Sequence, residues 1–153
     1  MFNELIIFAA KYLFVAVPIL ALVYWIRAPY ATRRYLLLLG LLAGAAALGI
    51  GRLIAYFYFD PRPFVTGHFI PLIAHEPDNG FPSDHTLLSS AIAASVTVCS
   101  RSLGLGLWAI TAVVGIARIL CGLHSPIDVI GSICIASASA YVAHSLLRRR
   151  FAR

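Results

Sequence analysis

Five stretches of the chain run almost without charge: residues 5–26, 35–59, 84–100, 103–120 and 126–147. A helix needs about 20 mostly apolar residues to cross a bilayer. The pattern therefore predicts an all-α integral membrane protein, a single domain over 1–153 built as a helical bundle of about five transmembrane helices. The third and fourth stretches are short but carry few charges. No internal repeat or low-complexity segment interrupts them.

Composition agrees. The 153 residues are 61% hydrophobic and only 12% charged, against roughly a quarter charged in soluble domains. The net charge of +6 does not point to nucleic acid, because the arginines stand in short clusters between apolar runs with no basic stripe interleaved with aromatics. Arg27, Arg33 and Arg34, then Arg101, then Arg148, Arg149, Arg150 and Arg153 fall on one side of a five-span chain. The positive-inside rule makes that side cytoplasmic. The N-terminus and the 60–83 and 121–125 loops are then expected outside and the C-terminus inside. Lys11, within the first stretch, is expected to snorkel to the outer surface.

Cys99, Cys121 and Cys134 form no paired motif, and the first two are expected at opposite membrane faces. Neither a disulfide framework nor a zinc site is expected. The start Met-Phe-Asn-Glu has no basic n-region, so the first hydrophobic run is read as a retained span.

The expected outer face gathers the chemistry. The long loop 60–83 carries five prolines; Phe69, Ile70, Leu72 and Ile73 around Pro71 suit either a lipid entrance in the headgroup region or a packed surface loop. Glu76 and Asp78 are read as solvated loop charge rather than a cation site. Three clusters border this face. In Asp60-Pro61-Arg62-Pro63-Phe64, two prolines fix the backbone around a guanidinium suited to bidentate phosphate binding, although an interfacial anchor reads the same way. In Gly80-Phe81-Pro82-Ser83-Asp84-His85-Thr86, Ser83 reads as the N-cap of a helix whose free N–H groups form an anion site. His85 in that turn carries an imidazole, whose unperturbed pKa near neutrality suits a general acid. The third cluster, residues 118–128, brings Arg118, His124 and Asp128 together. His124 and Asp128 stand one helical turn apart. Ser125-Pro126-Ile127-Asp128 also reads as a helix start close to a capping box, but capping needs neither Arg118 nor His124. Together the clusters describe a phosphate pocket with a nucleophile and an acid, with no magnesium or zinc cage and no cofactor.

These residues resemble the type-2 phosphatidic acid phosphatase superfamily over about residues 52–131. Arg62-Pro63 matches the end of its first motif. Pro82-Ser83-Asp84-His85 matches the second with Asp84 in place of glycine. Ala117-Arg118, five residues, His124, three residues, Asp128 matches the third with Ala117 in place of serine. The first-motif lysine falls on Ala55; Arg52, one turn earlier, is its candidate replacement. Asp84 adds a negative charge beside the anion site that a cation must neutralise. The Pro-Ser-Asp-His variant and the small size most resemble the bacterial undecaprenyl-diphosphatase branch linked to bacitracin resistance.

The resemblance implies metal-independent hydrolysis of a polyprenyl or glycerolipid phosphate at the extracytoplasmic face of the bacterial plasma membrane. His124 would be the nucleophile, Asp128 its orienting partner and His85 the acid. Arg62, Arg118, Ser83 and the helix N-terminus would hold the phosphate. Two other readings stand beside it: a phosphatase for phosphatidic acid or phosphatidylglycerophosphate, and a lipid-phosphate carrier or flippase that binds without releasing phosphate.

Overall fold

The computed structural model describes residues 1–151; the side chains of Arg150 and Phe151 and all of Ala152 and Arg153 lie outside that description, and so does the expected cytoplasmic placement of Arg150 and Arg153. The described chain is helical: α1 (Phe2–Lys11), α2 (Ala16–Arg27), α3 (Tyr30–Phe57), α4 (Pro63–Thr66), α5 (Asp84–Cys99), α6 (Arg101–Leu120) and α7 (Pro126–Phe151).

Three of these helices, α3, α6 and α7, are long and apolar enough to cross a membrane, and the α1–α2 segment adds a fourth crossing if taken as one bent span. The first hydrophobic run, expected as one continuous span, breaks at Tyr12–Val15 into α1, a short 3₁₀ turn and α2, bent by 41°. Pro18 supplies the reason: it has no N–H to give to the carbonyl of Phe14, and its ring crowds that carbonyl. Lys11 ends α1 at this break, its ammonium over the Tyr12 ring.

The third expected span is α5, only 16 residues long, or about 24 Å at 1.5 Å per residue. It sits at the centre of the bundle, packed by α3, α6 and α7. Its sequence is rich in small residues, and Ser89, Ser90, Ala91, Ala93 and Ser95 are buried. Small side chains let neighbouring backbones approach closely where lipid supplies no hydrophobic drive between helices. Gly104 of α6 shows how tight this is: a Cβ there would lie 2.5 Å from the Cα of Thr97. Separate apolar clusters form along α5, one joining Val17, Leu36, Ala93, Val96 and Leu107, another Ala47, Leu87, Ala91 and Ala136.

The helix directions sort the polar residues. The end of α3, the start of α5, the end of α6 and the start of α7 meet at one end of the bundle. Arg27, Arg33, Arg34, Arg101 and Arg148 lie on the helix termini at the other end, where Tyr24 of α2 bonds the Cys99 carbonyl and Tyr35 of α3 bonds His144 of α7. Arg33 is not merely solvated: its Nε donates to the Ala28 carbonyl at 2.7 Å and helps close the α2–α3 turn. Cys99 and Cys121 lie at opposite ends, and all three cysteines are free.

Candidate active site

The first cluster enters from the end of α3. Arg62 stands between Pro61 and Pro63 in an extended conformation (φ −58°, ψ 145°) and leads into α4, with Pro63 at its first position. A short bridge pairs Pro61 with Asn79, and the Gly80 N–H donates to the Asp60 carbonyl at 2.8 Å. Asn79 fastens this crossing. Its amide group donates to the carbonyls of Ala55 (3.2 Å) and Tyr58 (2.9 Å), and its side-chain oxygen accepts from the N–H groups of Asp60 (2.9 Å) and Phe81 (3.0 Å). One side chain thus closes the end of α3 and fixes the turn that carries Gly80.

The 60–83 loop folds back over the α6–α7 turn, with Phe64 N–H bonded to the Gly122 carbonyl and Leu72 N–H to that of Cys121. Phe69 lies on Gly122, whose φ of +76° and lack of a side chain are both required; a Cβ there would come within 2.5 Å of the ring. Ile73 packs inward with Ala10, Cys121 and Leu123, whereas Ile70 is 93% exposed. The loop is thus both packed and tipped with an apolar residue.

The turn after α6 delivers His124. Arg62, Arg118, His124 and Asp128 are all buried, at 5%, 6%, 3% and 1% exposure. The imidazole is held from both sides. Nδ1 lies 2.9 Å from the Gly80 carbonyl, which can only accept, so Nδ1 carries the proton. Nε2 is then unprotonated and its lone pair accepts from the guanidinium groups of Arg118 (3.2 Å) and Arg62 (3.5 Å). Asp128 lies behind the ring, Oδ2 at 3.5 Å from Nδ1. That is an ion contact rather than a good hydrogen bond. Gly80 therefore sets the ring's tautomer, and Asp128 supplies charge. A Cβ at Gly80 would sit 3.0 Å from Asp128 Oδ2 and 3.1 Å from the Asp60 carbonyl, so the position admits little beyond hydrogen. Burial holds the His124 pKa below its ordinary 6.5; Asp128 opposes this, and the two arginines reinforce it.

The helix-start reading of Asp128 is also correct. Its Oδ2 accepts the Ser125 N–H at 2.7 Å while Ser125 Oγ accepts the Asp128 N–H at 3.4 Å, a reciprocal cap on α7. The same carboxylate caps the helix and faces the histidine.

The two arginines are satisfied differently. Arg62 donates Nε to Asp78 at 2.6 Å and Nη1 to the Leu123 carbonyl at 2.9 Å. Asp78 is thus a counter-ion rather than solvated loop charge, and the hydrogen bond from Arg62 holds its carboxyl below the usual range. Arg118 has no carboxylate partner among the described residues, and its buried Nε has no acceptor. A buried cation without an anion is costly, and this one faces a polar cavity of about 290 Å³.

That cavity is lined by Arg52, Ala55, Arg62, Asp84, His85, Arg118 and His124 among others. His85 stands in the first turn of α5, its ring edge-on to Phe14 at 4.3 Å. Arg52 meets Asp84 across the rim at 3.4 Å, so Arg52 is the cation beside Asp84, and Ala55 occupies the wall next to it. Ser83 occupies the N-cap position, but its hydroxyl is wholly buried against Thr86 Oγ1 at 3.1 Å and does not line the cavity. The structure brings Arg52, Arg62, Asp84, His85, Arg118 and His124 to one cavity; Asp128 is buried beside His124 and, like the Ser83 hydroxyl, does not line it. Asp60, Asn79, Gly80 as a carbonyl acceptor, and Asp78 as a counter-ion were not assigned these roles from the sequence; their adjacency to Arg62 and to Phe81-Pro82 was the only signal.

Residues 35–152 match the PAP2 superfamily. Undecaprenyl-diphosphatase BcrC of Bacillus subtilis (strain 168) is 36% identical over 134 residues, covering 88% of this chain and 69% of the relative. The bacitracin transport permease protein BcrC of Bacillus licheniformis is 32% identical over 142 residues, covering 92% and 69%. The crystal structure of Aquifex aeolicus LpxE superposes with a TM-score of 0.63 over 93% of both chains at 19% identity, which speaks for the fold. A match across most of the chain, with two relatives above 30% identity, makes this protein a member of the PAP2 superfamily, an integral membrane hydrolase of phosphate esters or anhydrides.

Proposed function

We propose that this protein removes the terminal phosphate of undecaprenyl diphosphate, giving undecaprenyl phosphate and inorganic phosphate. The whole chain acts as one phosphatase domain with its working residues within 52–131. The observation that carries the reading is the buried Arg118, with no carboxylate partner among the described residues, aimed together with Arg62 at the unprotonated Nε2 of His124. This arrangement lacks an anion and presents a nucleophile where the anion would sit.

Nε2 attacks the terminal phosphorus as the bond to the lipid monophosphate oxygen breaks, leaving a phosphohistidine. Nδ1–H stays on Gly80, and Asp128 balances the positive ring. Arg62, Arg118 and the first-turn N–H groups of α5 stabilise the equatorial oxygens; the Ser83 hydroxyl joins them only by turning away from Thr86. His85 protonates the leaving oxygen, then takes a proton from the water that displaces phosphate from His124. A diphosphate suits the site because Arg52 at the rim, in place of the lysine absent at Ala55, reaches the second phosphate by turning away from Asp84. The relative named undecaprenyl-diphosphatase supports the choice of substrate. With the arginine-bearing helix ends facing the cytoplasm, the cavity opens on the extracytoplasmic face of the plasma membrane.

Phosphate release measured on purified protein in detergent tests this. Undecaprenyl diphosphate is expected to be turned over faster than phosphatidic acid or phosphatidylglycerophosphate, with no loss on adding chelator. Faster release from either glycerolipid would replace the substrate. Transbilayer movement of the lipid without phosphate release would replace the enzyme with a carrier.

The acid limb of kcat/KM tests the nucleophile separately. Attack requires Nε2 unprotonated. Because burial lowers the folded-state pKa of His124, activity is expected to persist below pH 6.5 and to fall only as the pH drops through the lowered value. A limb above 6.5 would contradict a buried neutral imidazole as nucleophile.

A further inference from the structure

Oδ1 of Asp128 is buried and, among the described residues, accepts no hydrogen bond. A carboxylate oxygen left that way is destabilising. The Asp60 carboxyl, entering from the end of α3, shares Ser125 with the Asp128 carboxyl: Ser125 Oγ donates to Asp60 Oδ2 at 2.9 Å and the Ser125 N–H to Asp128 Oδ2 at 2.7 Å, which sets the two carboxyls side by side. Two ionised carboxylates do not share such a contact; one shared proton removes the repulsion and supplies the missing donor.

The surrounding bonds decide which residue holds that proton. Asp128 accepts the Ser125 N–H at 2.7 Å and faces His124 Nδ1, donors that favour its ionised form. Asp60 accepts one hydroxyl, Ser125 Oγ at 2.9 Å, and has no ion pair among the described residues. Arg62, two residues on, directs its guanidinium to Asp78, Leu123, Asn79 and His124. The charged or titratable groups around Asp60 are therefore Asp128 from α7, with His124 beyond it, and Arg62 on its own segment.

We propose that Asp60 is a positioning residue of this site, holding a proton that it donates to Asp128 Oδ1 so that the pair presents a single negative charge to His124. Burial, with the neighbouring Asp128 adding to it against the Ser125 hydrogen bond, raises the Asp60 pKa in the direction this requires. The consequence for catalysis rests on His124 being the nucleophile. One negative charge balances the ring when it is phosphorylated. Two would draw a proton onto Nε2 and block attack. The location of the proton does not depend on that reading.

Infrared spectroscopy of the 153-residue chain at pH 7 reads the proton directly. A carbonyl band of a protonated carboxylic acid, shifting in heavy water, is expected in the wild type and absent from Asp60→Asn. No such band in the wild type, or one that survives in Asp60→Asn, overturns the proposal whatever the enzyme's activity. Kinetics add a second readout. Asp60→Ala is expected to lower kcat about 100-fold, as loss of an orienting partner does. Asp60→Asn keeps an N–H donor for Asp128 and is expected to recover to within about tenfold of wild type. An Asp60→Asn variant no better than Asp60→Ala overturns the donor role.

Discussion

Substitution of His124 by alanine is expected to reduce phosphate release by roughly 10⁶-fold, the scale seen when a nucleophile is removed from a preorganised site. The side chain is buried, and its Nδ1–H is given to the Gly80 carbonyl, with Asp128 Oδ2 farther off at 3.5 Å. Water in the adjoining polar cavity can serve that carbonyl, so the fold should survive and the loss should reside in kcat. Quenched-flow with substrate labelled on its terminal phosphate gives the sharper test. Wild-type protein should carry transient label that is lost in acid and kept in base, as a phosphorus–nitrogen bond requires. The His124→Ala variant should carry none. Full activity in a folded variant, or label on any other side chain, would remove His124 from the role.

Arg118 is expected to have the next largest effect and an unusual signature. Its guanidinium donates to Nε2 of His124, its Nε is buried without an acceptor, and no carboxylate balances it among the described residues. A cation held in this state serves the charge that develops during phosphoryl transfer, and removing such an arginine costs about 10³–10⁵ in kcat. Arg118→Ala should lose activity on that scale. Arg118→Lys should not restore it, because an ammonium cannot reproduce the planar two-point contact. Thermal stability should move the other way. Deleting an unpaired buried charge relieves a desolvation penalty, so Arg118→Ala should unfold at a temperature no lower than wild type. Inorganic phosphate or vanadate should stabilise the wild type and not the variant. A folded Arg118→Ala that keeps activity within tenfold, or that unfolds well below the wild type, would make Arg118 a structural residue.

Much of this site is legible in the chain because its parts are local. Arg62 between prolines, a helix opening at Pro82-Ser83, and His124 one turn ahead of Asp128 are patterns of spacing and backbone chemistry. Each places a side chain at a helix end whatever the rest of the molecule does. The Ser125–Asp128 cap is local in the same way, and it formed as its residues predict. Pro18 was equally visible, and its effect on the first hydrophobic run, a 41° bend where one span was expected, follows from the missing N–H.

Other features depend on contacts that no local spacing encodes. Asp78 and Arg62 are 16 positions apart, and Gly80 and His124 are 44 apart. Their meeting depends on the loop folding back through Asn79. Arg52 reaches Asp84 because α3 and α5 pack side by side. Ser83 could be read as an N-cap, but the direction of its hydroxyl was decided by Thr86 within a packed helix start.

By itself, then, the sequence determined the membrane bundle, the site-bearing helix ends and most of the charged residues that line the polar cavity, because hydropathy and capping act over one or two turns. The tertiary structure decided which nitrogen of His124 is unprotonated, which arginine lacks a counter-ion, and that Asp60 lies against Asp128. Those are properties of burial and charge set by segments distant in the chain, and they exist only once the bundle has closed around them.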